Sequence, residues 1–245
     1  MAEDIQEVRR DLAATFRWAD RLGLNEGISN HFSYAVADDR FLINGWGWHW
    51  SEITASSLLL CDGEGRVVDG PESGVGSTVE LTSLFIHARV HQGAPAARAL
   101  FHTHMPYATA IASVKGGRLI MASQNALRFY GQCAHDDAYA GLALANDEGD
   151  RLCRAMAGRR ILFMANHGVL VAGRTIAQGF DDLYYLEQAA KVQVLAAATG
   201  QPLRELDQAT CEATASQLDY ERENAFFHLA AIRRVLDREG SDYAH

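Results

Sequence analysis

The apolar positions of this chain fall into two alternating periods. Ile5, Leu12, Phe16 and Leu22 recur among charges over residues 3–22, the spacing of an amphipathic helix. Gly23 to Asn30 is polar and turn-rich. Beyond it the period shortens. His31 to Val36 and Arg40 to Ile43 read as strands about Ala37-Asp38-Asp39, and 57–61 with 66–68 read as a hairpin about Asp62-Gly63-Glu64-Gly65. Ser77-Thr78-Val79-Glu80 has the form of a helix capping box, and Leu81, Leu84, Phe85 and Ala88 carry a helix from it to about Gln92. Ala99 to His104 predicts a strand, ended by Met105-Pro106 and followed by a short helix from Tyr107 to about Val114. Residues 147–157 read as a helix, and Arg160 to Ala165 and Val169 to Val171 as strands joined through Asn166-His167-Gly168. A helix over 175–199 is closed by Gly200 and Pro202, and a last charged helix covers roughly 212–238.

Helices interleaved with tight strand pairs predict a single α/β domain over 1–245, with a largely antiparallel or mixed sheet and 205–245 as a helical extension. No repeat, low-complexity tract or linker divides it. The polar C-terminal stretch is expected to pack on a neighbouring subunit.

Composition narrows the function. The net charge of −9 argues against strong non-specific binding to nucleic acid or an anionic membrane, and leaves open a small-molecule substrate or a local basic site. The acidic opening MAEDIQEVRR lacks the apolar core of a signal peptide. No apolar run approaches the roughly 20 residues that span a bilayer. Cys61, Cys133, Cys153 and Cys211 are scattered with no C-x-x-C pair, which fits a reduced cytoplasmic setting.

The candidate chemistry starts at Phe101-His102-Thr103-His104. Residues two apart in a strand share a face, so His102 and His104 can present two imidazoles to one transition-metal ion. The same spacing also suits one packed and one solvated histidine. His167 sits between Asn166 and Gly168 at the end of the apolar strand 161–165, a turn suited either to a site or to capping its own loop. His87 and His91, four apart on a helix, form a rival metal pair, with packing or support of the site favoured for them.

Taken in order, these residues resemble the class II aldolase/adducin family, which includes sugar-phosphate aldolases and epimerases, some decarboxylases and the non-enzymatic adducin heads. The resemblance spans roughly 5–200. It is carried by Ser29-Asn30-His31-Phe32-Ser33, Glu52 to Leu58, His102-Thr103-His104-Met105-Pro106-Tyr107-Ala108-Thr109-Ala110 and Ala165-Asn166-His167-Gly168-Val169. Gln124 to Gly131 looks like the adducin-like bacterial branch. The resemblance implies one α/β/α-layered domain and a homotetramer with active sites between subunits. It also implies Zn²⁺, or another divalent ion such as Mn²⁺, Co²⁺ or Fe²⁺, on His102, His104 and His167, with a position open to substrate.

Two departures shape the expected reaction. The family's phosphate-binding turns are replaced by Asn30-His31-Phe32-Ser33 and by Asn44-Gly45-Trp46-Gly47-Trp48-His49-Trp50, which suggests an aromatic pocket more than a phosphate cradle. Asn30, Ser33, Trp46 and Gly47 are therefore candidate substrate contacts, with Arg128 as a carboxylate partner or a structural ion pair. The position of the aldolases' acidic residue is Ser83, so Glu80 becomes the candidate acid/base, although as third residue of the capping box it equally stabilises the helix start. Tyr130, His135 and Asp136 are later candidates, in a stretch that also reads as solvated loop. The expected activity is retro-aldol cleavage or decarboxylation, through a metal-stabilised enolate, of a small keto or hydroxy acid or a sugar-derived substrate, with a non-phosphorylated acid favoured. The alternatives are a non-catalytic, metal-binding, adducin-like interaction module and, third, a metal-dependent isomerase or oxygenase.

Overall fold

The alternating segments assemble into one sheet flanked by helices. The structure, a computed structural model, describes residues 4–139, 141–142 and 145–245. Its strands are β1 (His31–Ala37), β2 (Arg40–Asn44), β3 (Leu58–Asp62), β4 (Val67–Asp69), β5 (Ala99–Thr103), β6 (Cys133–Asp136), β7 (Ile161–Met164) and β8 (Gly168–Gly173). They lie in the order β4-β3-β2-β1-β5-β8-β7-β6. Neighbours run antiparallel except β6 and β7, which are parallel, so the sheet is mixed as the pattern predicts.

The helices are α1 (Ile5–Arg21), α2 (Leu81–Gly93), α3 (Pro106–Ala112), α4 (Gln124–Leu127), α5 (Asn146–Met156), α6 (Ile176–Ala197), α7 (Gln208–Tyr220) and α8 (Asn224–Arg238). Alternation along the strands sorts the core onto two faces. Phe32, Phe101, Phe163 and Val171 meet Phe16 of α1, Ile111 of α3, Phe180 of α6 and Ile232 of α8. Leu100, Leu162 and Leu170 point the other way, onto Ile86 and Val90 of α2 and Leu152 of α5. This is a three-layered α/β/α domain.

Two local expectations change, and the C-terminal end is seen to meet its own chain. The helix over 212–238 is two helices, because residues 221–223 form a single 3-10 turn. That break puts Arg222 3.3 Å from the buried Asp182. The segment 124–137, read partly as loop, contains α4 and the parallel edge strand β6, whose sequence Cys-Ala-His-Asp carries no strand period. The C-terminal residues pack on their own chain: Ala55 N–H donates to Tyr243 O and Ser56 N–H to His245 O, each at 2.8 Å. Among the described residues no helix is long and apolar enough to cross a membrane.

Candidate functional site

Strand register builds the site. β1 and β5 pair with His31 opposite His102. Directly opposed residues share a face, so the two imidazoles stand side by side with ring centroids 4.7 Å apart. His104 continues past the end of β5, where its backbone N–H donates to Asn30 Oδ1 at 3.3 Å. Asn30 has φ 75°, in the left-handed region that asparagine tolerates better than most residues. The third histidine comes from the β7–β8 hairpin. Met164 pairs with Gly168, leaving Ala165-Asn166-His167 as the turn, with Asn166 at φ 56°. Gly168 is required there, because a Cβ would come within 2.5 Å of Thr103 O and 2.8 Å of His104 Cδ2.

These elements bring His102, His104 and His167 into a triangle. Their ring centroids lie 5.0, 4.8 and 4.9 Å apart, and one nitrogen of each falls within 4.8 Å of the others. Each strand histidine is held by one nitrogen. His102 Nδ1–H donates to Val169 O at 3.0 Å, and His104 Nδ1 meets Glu26 Oε2 at 2.6 Å. His104 Nε2 is buried and has no partner among the described residues. An orphaned imidazole nitrogen beside those of His102 and His167, with His102 and His104 anchored on their far sides, fits the donor set of a divalent transition-metal site. Burial first, then the neighbouring histidines, holds His102 well below the ordinary imidazole range, and the same causes bring His167 down to about 4. Both are therefore unprotonated at neutral pH, as a metal ligand must be. Glu26 was missed from sequence. It lies in the polar turn before β1, far from the histidines in number, and no pattern marks it.

A cavity of about 210 Å³ opens over the triangle. Asn30, His31, Trp46, Glu80 and Thr82 line it with the three histidines, and no lysine or arginine is among its described lining residues. Glu80 takes a different place in its helix from that read in the sequence. It is the N-cap residue itself: Oε2 accepts Ser83 N–H at 2.9 Å and the Thr82 hydroxyl, so Ser77 is not the cap. Ser83 is buried, and its hydroxyl donates to Glu80 O at 2.7 Å, which takes it away from the cavity.

Other candidates are not brought to the cavity. Ser33 lies fully buried beneath it, bonded to His87 and His91. This places those two histidines in a hydrogen-bonded support and not in a second metal pair. Gly47, at φ 94°, faces Val75. Arg128 pairs with Asp181 at 2.7 Å and covers the Tyr185 ring at 3.9 Å, lining a separate cavity with Tyr130; the structural ion pair is what the fold realises. His135 stacks on Phe163, and Asp136 is held by Arg151. The tryptophan loop divides. Trp46 is 47% exposed at the cavity, whereas Trp50 is fully buried against Phe16 and Phe32.

The fold has counterparts among known proteins. Residues 10–194 match the family model described as class II aldolase and adducin N-terminal domain. This chain belongs to that family. Among solved structures, an aldolase II superfamily protein from Pseudomonas syringae superposes with a TM-score of 0.89 at 30% identity, over 100% of this chain and 98% of the other. L-fuculose 1-phosphate aldolase from Glaciozyma antarctica superposes with a TM-score of 0.85 at 25% identity, over 97% and 92%. In sequence, the decarboxylase NovR of Streptomyces niveus is 28% identical over 78% of this chain and 70% of its own length. The class II aldolase superfamily therefore includes both aldolase and decarboxylase relatives of this chain.

Proposed function

We propose that this chain is a divalent-metal-dependent lyase that breaks a carbon–carbon bond beside a carbonyl or carboxylate of a small, non-phosphorylated keto or hydroxy acid. The observation that carries the reading is the convergence of His102, His104 and His167 at the base of a cavity that Glu80 also lines. The three histidines would hold the ion, Zn²⁺ or another first-row divalent metal. Such an ion supplies Lewis-acid polarisation of substrate oxygen and stabilises negative charge developing there.

The chain's own residues supply the rest. Glu80 has one oxygen fixed by Thr82 and Ser83, while Oε1 has no partner among the described residues. That geometry fits a carboxylate that moves one proton to or from the substrate at the cavity wall. Asn30 and Trp46 shape the space around the substrate. A phosphate dianion needs several converging cationic or N–H groups, and the absence of lysine and arginine from the described lining favours a free acid. The fuculose phosphate relative argues the other way, so the substrate class is the part to test first.

Aldol cleavage and decarboxylation share the charge that must be stabilised, and relatives of both kinds exist. A second reading, a non-catalytic adducin-like module, is favoured by the serine at position 83. The deciding experiment is a panel of sugar phosphates and free keto and hydroxy acids with metal-loaded wild type, Glu80→Gln and His167→Ala. Turnover of a free acid, lost in His167→Ala with its metal and lowered about 100-fold or more in Glu80→Gln, supports the lyase. Turnover confined to a sugar phosphate overturns the substrate class. Metal binding with no turnover favours the module.

A further inference from the structure

β1 and α2 meet through a single file of hydrogen bonds that ends at the cavity. His31 and Ser33 share a face of β1, and His87 and His91, one turn apart on α2, pack over it. His91 Nδ1 lies 3.1 Å from Ala97 O, and His91 Nε2 lies 2.7 Å from Ser33 Oγ. Ser33 Oγ in turn contacts His87 Nδ1, and His87 Nε2 lies 2.6 Å from His31 Nδ1.

The polarity of this file is forced from its far end. A carbonyl oxygen only accepts, so His91 Nδ1 carries the proton. His31 and His87 are buried and His91 partly so, and no carboxylate meets any of them among the described residues, so each is taken as a neutral imidazole with one N–H and one lone pair. His91 Nε2 therefore accepts from the Ser33 hydroxyl, whose oxygen accepts from His87 Nδ1–H. His87 Nε2 accepts from His31 Nδ1–H. What remains is the lone pair of His31 Nε2. That nitrogen has no partner among the described residues, and His31 lines the cavity with His102, His104 and His167. It is not in the set of nitrogens that converge as metal donors.

We propose that His31 is a specificity-determining acceptor, a lone pair locked toward the cavity that recognises a ligand O–H, so that the site takes a hydroxy acid over the matching keto acid. The proposal rests on the reading that small acids bind at the histidine triangle. A hydroxyl donates to His31. A keto oxygen presents only lone pairs, loses that bond and leaves the imidazole unpaired in a buried wall. The file matters because it removes the freedom of an isolated histidine to switch tautomer and accept either ligand.

Two measurements test it. Nitrogen NMR of the metal-free, histidine-labelled protein reads the tautomer directly, with His31→Phe giving the assignment. The expected state is Nδ1–H with an unprotonated Nε2, and the opposite tautomer overturns the proposal. Cobalt-loaded protein is then titrated with racemic lactate and with pyruvate, read by the visible spectrum of the ion. Lactate should bind about tenfold or more tighter. Ser33→Ala, which cuts the file without touching the cavity, and His31→Phe should each bring the ratio toward one with cobalt stoichiometry unchanged. Equal affinity in wild type, or none for lactate, overturns the proposal and leaves the metal reading standing. Loss of cobalt from His31→Phe would instead make His31 a ligand. Failure of wild type to bind cobalt sinks the metal reading, while the tautomer remains readable without it.

Discussion

Glu26 Oε2 stands 2.6 Å from Nδ1 of His104, so a carboxylate from the turn before β1 orients a histidine from the end of β5. The Glu26 side chain is 66% exposed, so its worth lies in aiming the imidazole more than in holding the fold. Glu26→Gln keeps a weaker partner and Glu26→Ala removes it. Metal affinity should fall by about 10-fold or more in the alanine variant and less in the glutamine variant, the range seen for partners of metal-bound histidines. Competition with a chromophoric chelator measures this. An unchanged metal Kd in Glu26→Ala would show that the contact orients nothing.

How much of this site could be read in advance depended on the kind of link. His102, His104 and His167 each stood out in a local pattern, strand alternation for two and a glycine-closed turn for the third, but those patterns equally suited packing or loop capping, and the family resemblance joined them into one set. The α/β layering was legible because period and turn residues are local. Glu26 and the pairing of His31 with His87 were not. They depend on register and on how α2 lies across the sheet, and no spacing in the chain encodes either. Glu80 shows an intermediate case. The helix start was located to within a turn, but Ser77 is the residue type preferred at an N-cap, and the backbone nevertheless gives the position to Glu80.

The metal-free protein should lose stability in mild acid. Burial pushes His91 down from 6.5 to about 4, with the Ala97 carbonyl only partly opposing it. Between those two values the unfolded chain binds a proton that the folded chain refuses, so stability rises with pH across that window. The contribution is present above 6.5 and is lost as pH falls toward about 4. It should be on the order of 2 kcal/mol for this residue. His91→Gln can keep both of its hydrogen bonds without a titrating group. Its thermal melts, compared with wild type from near pH 8 to about pH 4.5, should show a shallower decline. Parallel declines would mean that other groups carry the acid sensitivity.

Trp46 and Trp50 are four residues apart and should behave oppositely. Trp50 is fully buried, with its ring 5.2 Å from Phe16 and 4.5 Å from Phe32, so Trp50→Ala leaves a cavity and should cost about 3–5 kcal/mol. Trp46 is half exposed at the cavity wall, and Trp46→Ala should change stability by about 0.5 kcal/mol or less while weakening ligand binding. Denaturant melts and ligand titration on the two variants separate these effects. If Trp46→Ala melted like Trp50→Ala, the ring would be holding the loop and not facing a ligand.

Assembly is the remaining expectation, and α8 sharpens it. Its inner face, Ala225, Leu229, Ile232 and Leu236, is already buried within its own chain, so that seam is satisfied without a partner. Left outside are Phe226 at 43% exposure and Phe227 at 74%, with Val192 and Leu195 of α6 also exposed. Single exposed apolar residues are common, but adjacent phenylalanines on a well-formed helix leave a large apolar surface in water. Family resemblance implies a homotetramer, and α8 is where subunit contact should be sought. Light scattering at micromolar concentration should report about four times the chain mass of 26.9 kDa. Phe227→Asp adds a charge at the exposed edge of α8 without entering the core. It should shift the population toward smaller species while each chain keeps its secondary structure by circular dichroism. A wild-type monomer would contradict the assembly outright. A tetramer that tolerates Phe227→Asp would mean that the subunits meet elsewhere, and the exposed phenylalanines would then need another explanation.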